Sequence, residues 1–307
     1  MTILITGGAG FIGQHLVKQF NKNGKNGIVI LDRDISFVDS DVANKNILIK
    51  SDVNDFKLME KTIKDNFIDS IIHLAANSDI KTGATNSNAD FRDTLNTSLI
   101  LSEIARFHKI KKIFFASSSA IFGFRKQRIM NNDEFAKLPV SFYGIAKLAS
   151  EKIFEQIAKE YGVTYQCLRF PNVIGPQLTH GLIYDLKSKI AANPDTLNVL
   201  GDGHQSKPFM HVDDLTSIIF NVWKSDISMV ENISPADNIS VREIVELTCK
   251  AFQISPKVNY EEKAIGWVGD VPFYSYETSK NSIVLKTNIR TSIQAVNDTL
   301  REIAPIS

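Results

Sequence analysis

Short apolar runs alternate with longer amphipathic stretches through the first half of the chain. The runs at Thr2–Thr6, Ile28–Leu31, Ile47–Ile49, Ser70–Leu74, Ile113–Ser117 and Tyr165–Phe170 predict strands. Between them, helical spacing predicts helices near Gly10–Asn23, Asp55–Asn66, Asp90–His108 and Phe142–Tyr161. Strand–helix alternation with short connections predicts an α/β fold, a doubly wound parallel sheet covered on both faces. After Phe170 the rhythm breaks. Turn-rich pieces (PNVIGP, NPDTLNV, GDGHQSKP) alternate with helices expected at Asp213–Trp223 and Val241–Phe252. A smaller, mixed α/β domain is therefore expected near the carboxyl edge of the sheet, where open parallel sheets bind ligands. The expected division is 1–170 for the sheet domain, with parts of 204–234 returning to it, and mainly 171–307 for the smaller one.

Composition narrows the partners. Among 307 residues, Lys and Arg number 35 and Asp and Glu 34, a net charge of +1. So balanced a chain has no overall field to gather nucleic acid or an anionic membrane, and neither is expected as a partner. No apolar run approaches the roughly 18–20 residues that span a bilayer. The start, MTILITGGAGFIG, lacks a basic leader region and is broken by glycines, so a cytoplasmic protein is expected. Cys167 and Cys249 lie far apart and the six His are scattered, so neither a disulfide framework nor a metal site is expected.

The segment Thr2-Ile-Leu-Ile-Thr-Gly-Gly-Ala-Gly-Phe-Ile-Gly13 carries the first chemistry. A strand runs into a glycine turn and straight on into a helix. Gly7 can adopt the positive φ of a tight turn. Gly10 lets the backbone approach a diphosphate, which the helix N-terminus attracts, and Gly13 lets the helix lie close on the strand. Asp32, at the end of the next strand, can accept from both hydroxyls of an adenosine ribose and would repel a 2′-phosphate. This is the Rossmann pattern, and it favours NAD over NADP. Arg33, the next residue, keeps NADP open.

Tyr143-Gly-Ile-Ala-Lys147 places a phenol and an ammonium one helical turn apart on one face. Taking a proton from a sugar hydroxyl near neutral pH requires a phenol shifted down by about three units from about 10, or roughly 4 kcal/mol. One cation about 4 Å away, at an effective dielectric near 20, supplies about that much. The chain holds a second match to the pattern, Tyr276…Lys280, and context separates the two. Tyr143 follows the Ser117-Ser118-Ser119 run, which ends the fifth strand and can offer a hydroxyl to the substrate. No strand-end serine precedes Tyr276.

With TGGAGFIG, Asp32, Ser51-Asp52-Val53, His73-Leu-Ala-Ala76, SSSAIFG and YGIAK in order, the chain resembles the extended short-chain dehydrogenase/reductase family. Within it, the likeness is to the NAD-dependent epimerase/dehydratase branch that acts on nucleotide sugars. The resemblance implies that Gly7, Gly10, Phe11, Ile12, Gly13, Asp32 and Arg33 hold the adenosine diphosphate half of NAD, with Asp52 and Val53 beside the adenine. It places Leu74, Ala75, Ala76 and Phe170 on the nicotinamide side, where Tyr143 and Lys147 also touch the cofactor. The implied catalytic residues are Ser118, Tyr143 and Lys147, with Ser119 the alternative serine. Substrate contacts are implied for Ser118, Ser119, Tyr143, Asn172, Lys207 and Trp267. Asp213 and Asp214 are expected to start a helix as N-cap and first-turn acids, and His211 to be structural.

Three departures narrow the reaction. Ser119 and Ala120 stand where sugar 4,6-dehydratases carry an acid, and the cysteine of 3,5-epimerising relatives is absent from this loop. Lys207 and Trp267 stand where arginines are usual; lysine neutralises a phosphate without the planar fork of arginine, and tryptophan can only stack. The expected function is an NAD-dependent nucleotide-sugar 4-epimerase in carbohydrate biosynthesis. The alternative is a sugar 4-dehydrogenase or 4-ketoreductase with net redox chemistry; a dehydratase or a non-catalytic NAD-binding protein is less favoured. The resemblance also implies a homodimer formed through the helices near Asp90–His108 and Phe142–Tyr161.

Overall fold

A computed structural model of the chain describes residues 2–77, 86–124, 138–262 and 271–304. Seven strands form one sheet: β1 (Ile3–Thr6), β2 (Val29–Asp32), β3 (Ile47–Lys50), β4 (Ser70–His73), β5 (Lys112–Ala116), β6 (Thr164–Arg169) and β7 (Met229–Asn232). All neighbours pair in parallel, and the spatial order is β3-β2-β1-β4-β5-β6-β7. The order reverses between β1 and β4, which opens a crevice at their carboxyl ends.

Alternate side chains of each strand enter opposite helix layers. On one face Ile3, Ile5, Ile30, Phe114 and Leu168 pack with Leu16, Val17 and Phe20 of α1 (Phe11–Lys22). On the other, Leu4, Leu31, Ile71, Ile113, Phe115 and Cys167 pack under three helices. A short helix, α2 (Ser40–Lys45), precedes β3. The second layer then consists of α3 (Phe56–Asp65), α4 (Thr97–Phe107) and α5 (Phe142–Tyr161). Burial on both faces explains why the central strands read as continuous apolar runs, while the edge strand β3 is only partly covered. The Ser141 hydroxyl accepts from the Gly144 N–H to start α5, and Gly162, at φ +68°, ends it.

The helix expected over Asp90–His108 is not uniform. An α-helical turn, Ser87–Asp90, leads into a π-helical stretch, Phe91–Asn96, before α4 begins. Its buried side is polar, with Asp90, Asp93, Thr94, Thr97 and Ser98. That polar side escapes a search for apolar periodicity.

Beyond β6 the chain builds a separate apolar cluster from α6 (Leu182–Ala192), α8 (Val241–Ala251) and α9 (Ser292–Ile303), with Leu197, Val199 and Phe209 between them. Its strands are short pairs: Asn172–Ile174 with Phe209–His211, Ser206–Lys207 with Ile239–Ser240, and Thr196–Val199 with Lys257–Tyr260. Between them α7 (Val212–Lys224) packs Leu215, Ile218, Ile219 and Val222 into the α1 side of the sheet, and β7 then pairs with β6. One cap differs from expectation. His211, not Asp213, is the N-cap of α7, its ring accepting from the Asp213 N–H at 3.2 Å, because strand Phe209–His211 runs straight into the helix. Asp213 and Asp214 fill the first turn.

Candidate active site

The sequence-derived candidates follow directly on the carboxyl ends of parallel strands. Gly7 follows β1, Arg33 β2, Leu74 β4, Ser117–Ser119 β5 and Phe170 β6. They converge on a cleft of about 770 Å³, within the range of ligand pockets. Its walls include Gly7, Gly10, Phe11, Ile12, Gly13, Asp32, Arg33, Asp52 and Val53 at one end, and Leu74, Ala75, Ala76, Ser118, Ser119, Tyr143, Lys147 and Phe170. Asn172 and Lys207 line it as well. Trp267 lies outside the described residues.

The glycine turn fits a diphosphate. Gly7 sits at φ +71°, and a Cβ there would lie 2.7 Å from the Ala75 nitrogen. A Cβ on Gly13 would fall on the Gly7 carbonyl oxygen and the Gly8 backbone, so α1 lies as close to the turn as glycine allows. Gly10 is the N-cap of α1 and makes no side-chain cap, which leaves that helix end for an anion. Asp32 accepts from the Ala9 N–H at 3.2 Å. Burial raises its pKa, opposed by backbone N–H groups and the Arg33 charge.

Deeper in the cleft, the Ser118 hydroxyl accepts from the Ala120 N–H at 3.1 Å and acts on the Tyr143 phenol, whereas the Ser119 hydroxyl acts on the buried Tyr276. Lys147 is buried and donates to the Ala116 carbonyl at 2.6 Å, with Nζ 5.6 Å from the Tyr143 ring centroid. The expected downward shift of the phenol by Lys147 is not what this cleft produces. Burial pushes Tyr143 up to about 12, with the Ser118 bond pulling down and the Asp90 carboxylate adding to the rise. Burial also holds Lys147 down to about 8. Desolvation outweighs a single cation whose proton is directed at a carbonyl.

Behind Lys147 lies a network that sequence reasoning missed. Glu151, one further turn along α5, accepts from Arg169 Nε at 2.9 Å and Nη2 at 2.7 Å, and from the Ser117 hydroxyl. All three residues are buried. The spacing Tyr143, Lys147, Glu151 was a readable signal; Arg169, on β6, had none. The second Tyr…Lys match is separated by position. Tyr276 is fully buried and donates to the Ile233 carbonyl at 3.0 Å, while Lys280 is exposed. Among the described residues no cluster of three or more His, Cys, Asp or Glu could hold a metal. None of their helices is long and apolar enough to cross a membrane.

A parallel sheet with its crevice at the strand-order reversal, a glycine-turned helix end and, beyond it, a half-buried Tyr143 one turn from a buried Lys147 are the marks of a Rossmann enzyme that works with a nicotinamide dinucleotide. The chain belongs to the NAD-dependent epimerase/dehydratase family, whose sequence profile matches residues 3–232. It is similar to a UDP-glucose 4-epimerase of Halalkalibacterium halodurans, 28% identical over 270 residues that make up 80% of this chain and 79% of the relative. Among solved structures it superposes on a UDP-galactose 4-epimerase with a TM-score of 0.84 at 27% identity, covering 99% of this chain and 98% of the other. It also superposes on MoeE5 in complex with UDP-glucose and NAD, with a TM-score of 0.85 at 26% identity and coverage of 98% and 97%.

Proposed function

We propose that this protein is an NAD-dependent nucleotide-sugar 4-epimerase that oxidises the substrate transiently at sugar carbon 4. The observation that carries the proposal is the meeting of Ser118, Tyr143 and Lys147 in one cleft with the glycine cradle and with Asn172 and Lys207. Residues 1–170, with parts of 204–234, form the cofactor half, and 171–307 mainly the sugar-nucleotide half. Bound NAD would supply the hydride acceptor and, when oxidised, a second positive charge near the phenol.

Tyr143 takes the proton of the carbon-4 hydroxyl, and Ser118 holds that hydroxyl in line and shares the proton. Lys147, on the wall of the cleft, would hold the nicotinamide ribose, and its charge opposes the desolvation that raises the phenol. Tyr143 then returns the proton after the 4-keto sugar has presented its other face. Lys207 neutralises the diphosphate as a point charge, and Asn172 contacts the diphosphate or the sugar. Ser119 and Ala120, next after Ser118, cannot move a proton for the elimination of water, which favours epimerisation over dehydration. Placement in the cytoplasm and a homodimer formed by the outer faces of α4 and α5 complete the proposal.

The test incubates the protein with NAD and a panel of UDP-, GDP-, CDP- and dTDP-sugars, with products identified by proton NMR. Inversion at carbon 4 is expected for at least one substrate, and Tyr143→Phe should lower its rate by at least about 100-fold while NAD still binds. A released 4-keto sugar with stoichiometric NADH would make the protein a dehydrogenase.

A further inference from the structure

The end of β2 carries two candidates of opposite sign. Asp32 suits a ribose diol and repels a 2′-phosphate, whereas the Arg33 guanidinium would attract one. The surroundings of Arg33 decide between them. Its Nη1 donates to Asp93 Oδ2 at 3.1 Å, and Asp93 comes from the π-helical stretch after β4. Arg92 holds the same carboxylate through Nε at 2.7 Å and Nη2 at 3.1 Å. Asp93 is buried, and it lines the cleft together with Asp32, Arg33 and Asp52. Burial pushes the Asp93 carboxyl up, but the Arg92 and Arg33 guanidiniums outweigh it and keep it ionised at neutral pH. Three carboxylates (Asp32, Asp52, Asp93) thus stand against two guanidiniums (Arg33, Arg92), leaving one negative charge in excess.

We infer that Asp93 sets the choice of NAD over NADP by holding Arg33 in an ion pair that a 2′-phosphate would have to break. The inference rests on the dinucleotide reading of the cleft. It adds a residue that touches the selectivity through Arg33, some 60 positions from the β2 turn. Replacing Asp93 by a neutral isostere removes the excess negative charge and releases a guanidinium beside the 2′ position.

The experiment is a calorimetric titration of the full chain, cleared of any co-purifying dinucleotide, with NAD⁺ and with NADP⁺. Asp93→Asn should tighten NADP⁺ by at least about tenfold, the scale of one charge-assisted hydrogen bond, and change NAD⁺ by less than about threefold. Adding Arg33→Ala to Asp93→Asn should abolish the gain. Arg33→Ala alone leaves the buried carboxylate in place and should not tighten NADP⁺. An unchanged NADP⁺-to-NAD⁺ ratio in Asp93→Asn, equal weakening of both, or a tightening of NADP⁺ by Arg33→Ala as large as that by Asp93→Asn would overturn the inference. Failure of the wild type to bind NAD⁺ would instead overturn the reading beneath it.

Discussion

At the scale of single residues, burial governs the chemistry. The two groups proposed for catalysis, Tyr143 and Lys147, are both displaced toward their neutral forms. His73, beneath them at the end of β4, shows the same effect without a catalytic role. Burial, helped by the Lys147 charge, pushes its pKa down to about 3 from 6.5, and its ring bonds the Thr6 hydroxyl at 2.7 Å. An imidazole that titrates near 6.5 when unfolded and near 3 when folded stays neutral in the native state. The unfolded chain therefore binds more protons between those limits. His73 leaves stability intact above about pH 6.5, and stability falls as pH drops, by about 1.4 kcal/mol per unit well below that point. Chemical denaturation between pH 7 and 5 should show this slope in the wild type and a shallower one in His73→Asn. Equal slopes would show that the ring is not held neutral.

Among the elements, what the sequence displays is the backbone period and what it conceals is long-range pairing. The six expected strands are found within a residue or two, because apolar runs bounded by turns mark strands buried on both faces. Strand β7 was not legible: in Met229–Asn232 the exposed Val230 and the polar Glu231 and Asn232 give no apolar run, and only pairing to β6 defines it. The candidate site was legible wherever its residues follow strand ends or share a helix face. Asp93 and Arg169 were not, since Arg33 and Glu151, with which they pair, lie on other elements. The element scale also carries the assembly proposal. The helical segment through α4 exposes Phe91, Leu99 and Phe107, and α5 exposes Phe142, Ile145 and Tyr161. Phe91 and Phe142 pair edge to face at 5.8 Å, joining the two helices into one apolar surface. Light scattering at micromolar concentration should give the mass of two chains for the wild type and of one for Leu99→Glu with its fold intact. A monomeric wild type would contradict the proposal.

For the whole molecule, two apolar clusters flank the sheet and a third supports the C-terminal lobe, with the cleft running where they meet. Their meeting brings the glycine turn, Tyr143, Asn172 and Lys207 into one cleft. In the proposed reaction, hydride leaves carbon 4 and returns to the same carbon within that cleft. The most direct test uses a UDP-sugar that the enzyme accepts, deuterated at carbon 4, in ordinary water with NAD present. Proton NMR and mass spectrometry should find deuterium retained at carbon 4 in both epimers, with no growth of absorbance at 340 nm. Exchange of that deuterium with solvent, or its accumulation in free reduced cofactor, would contradict the account.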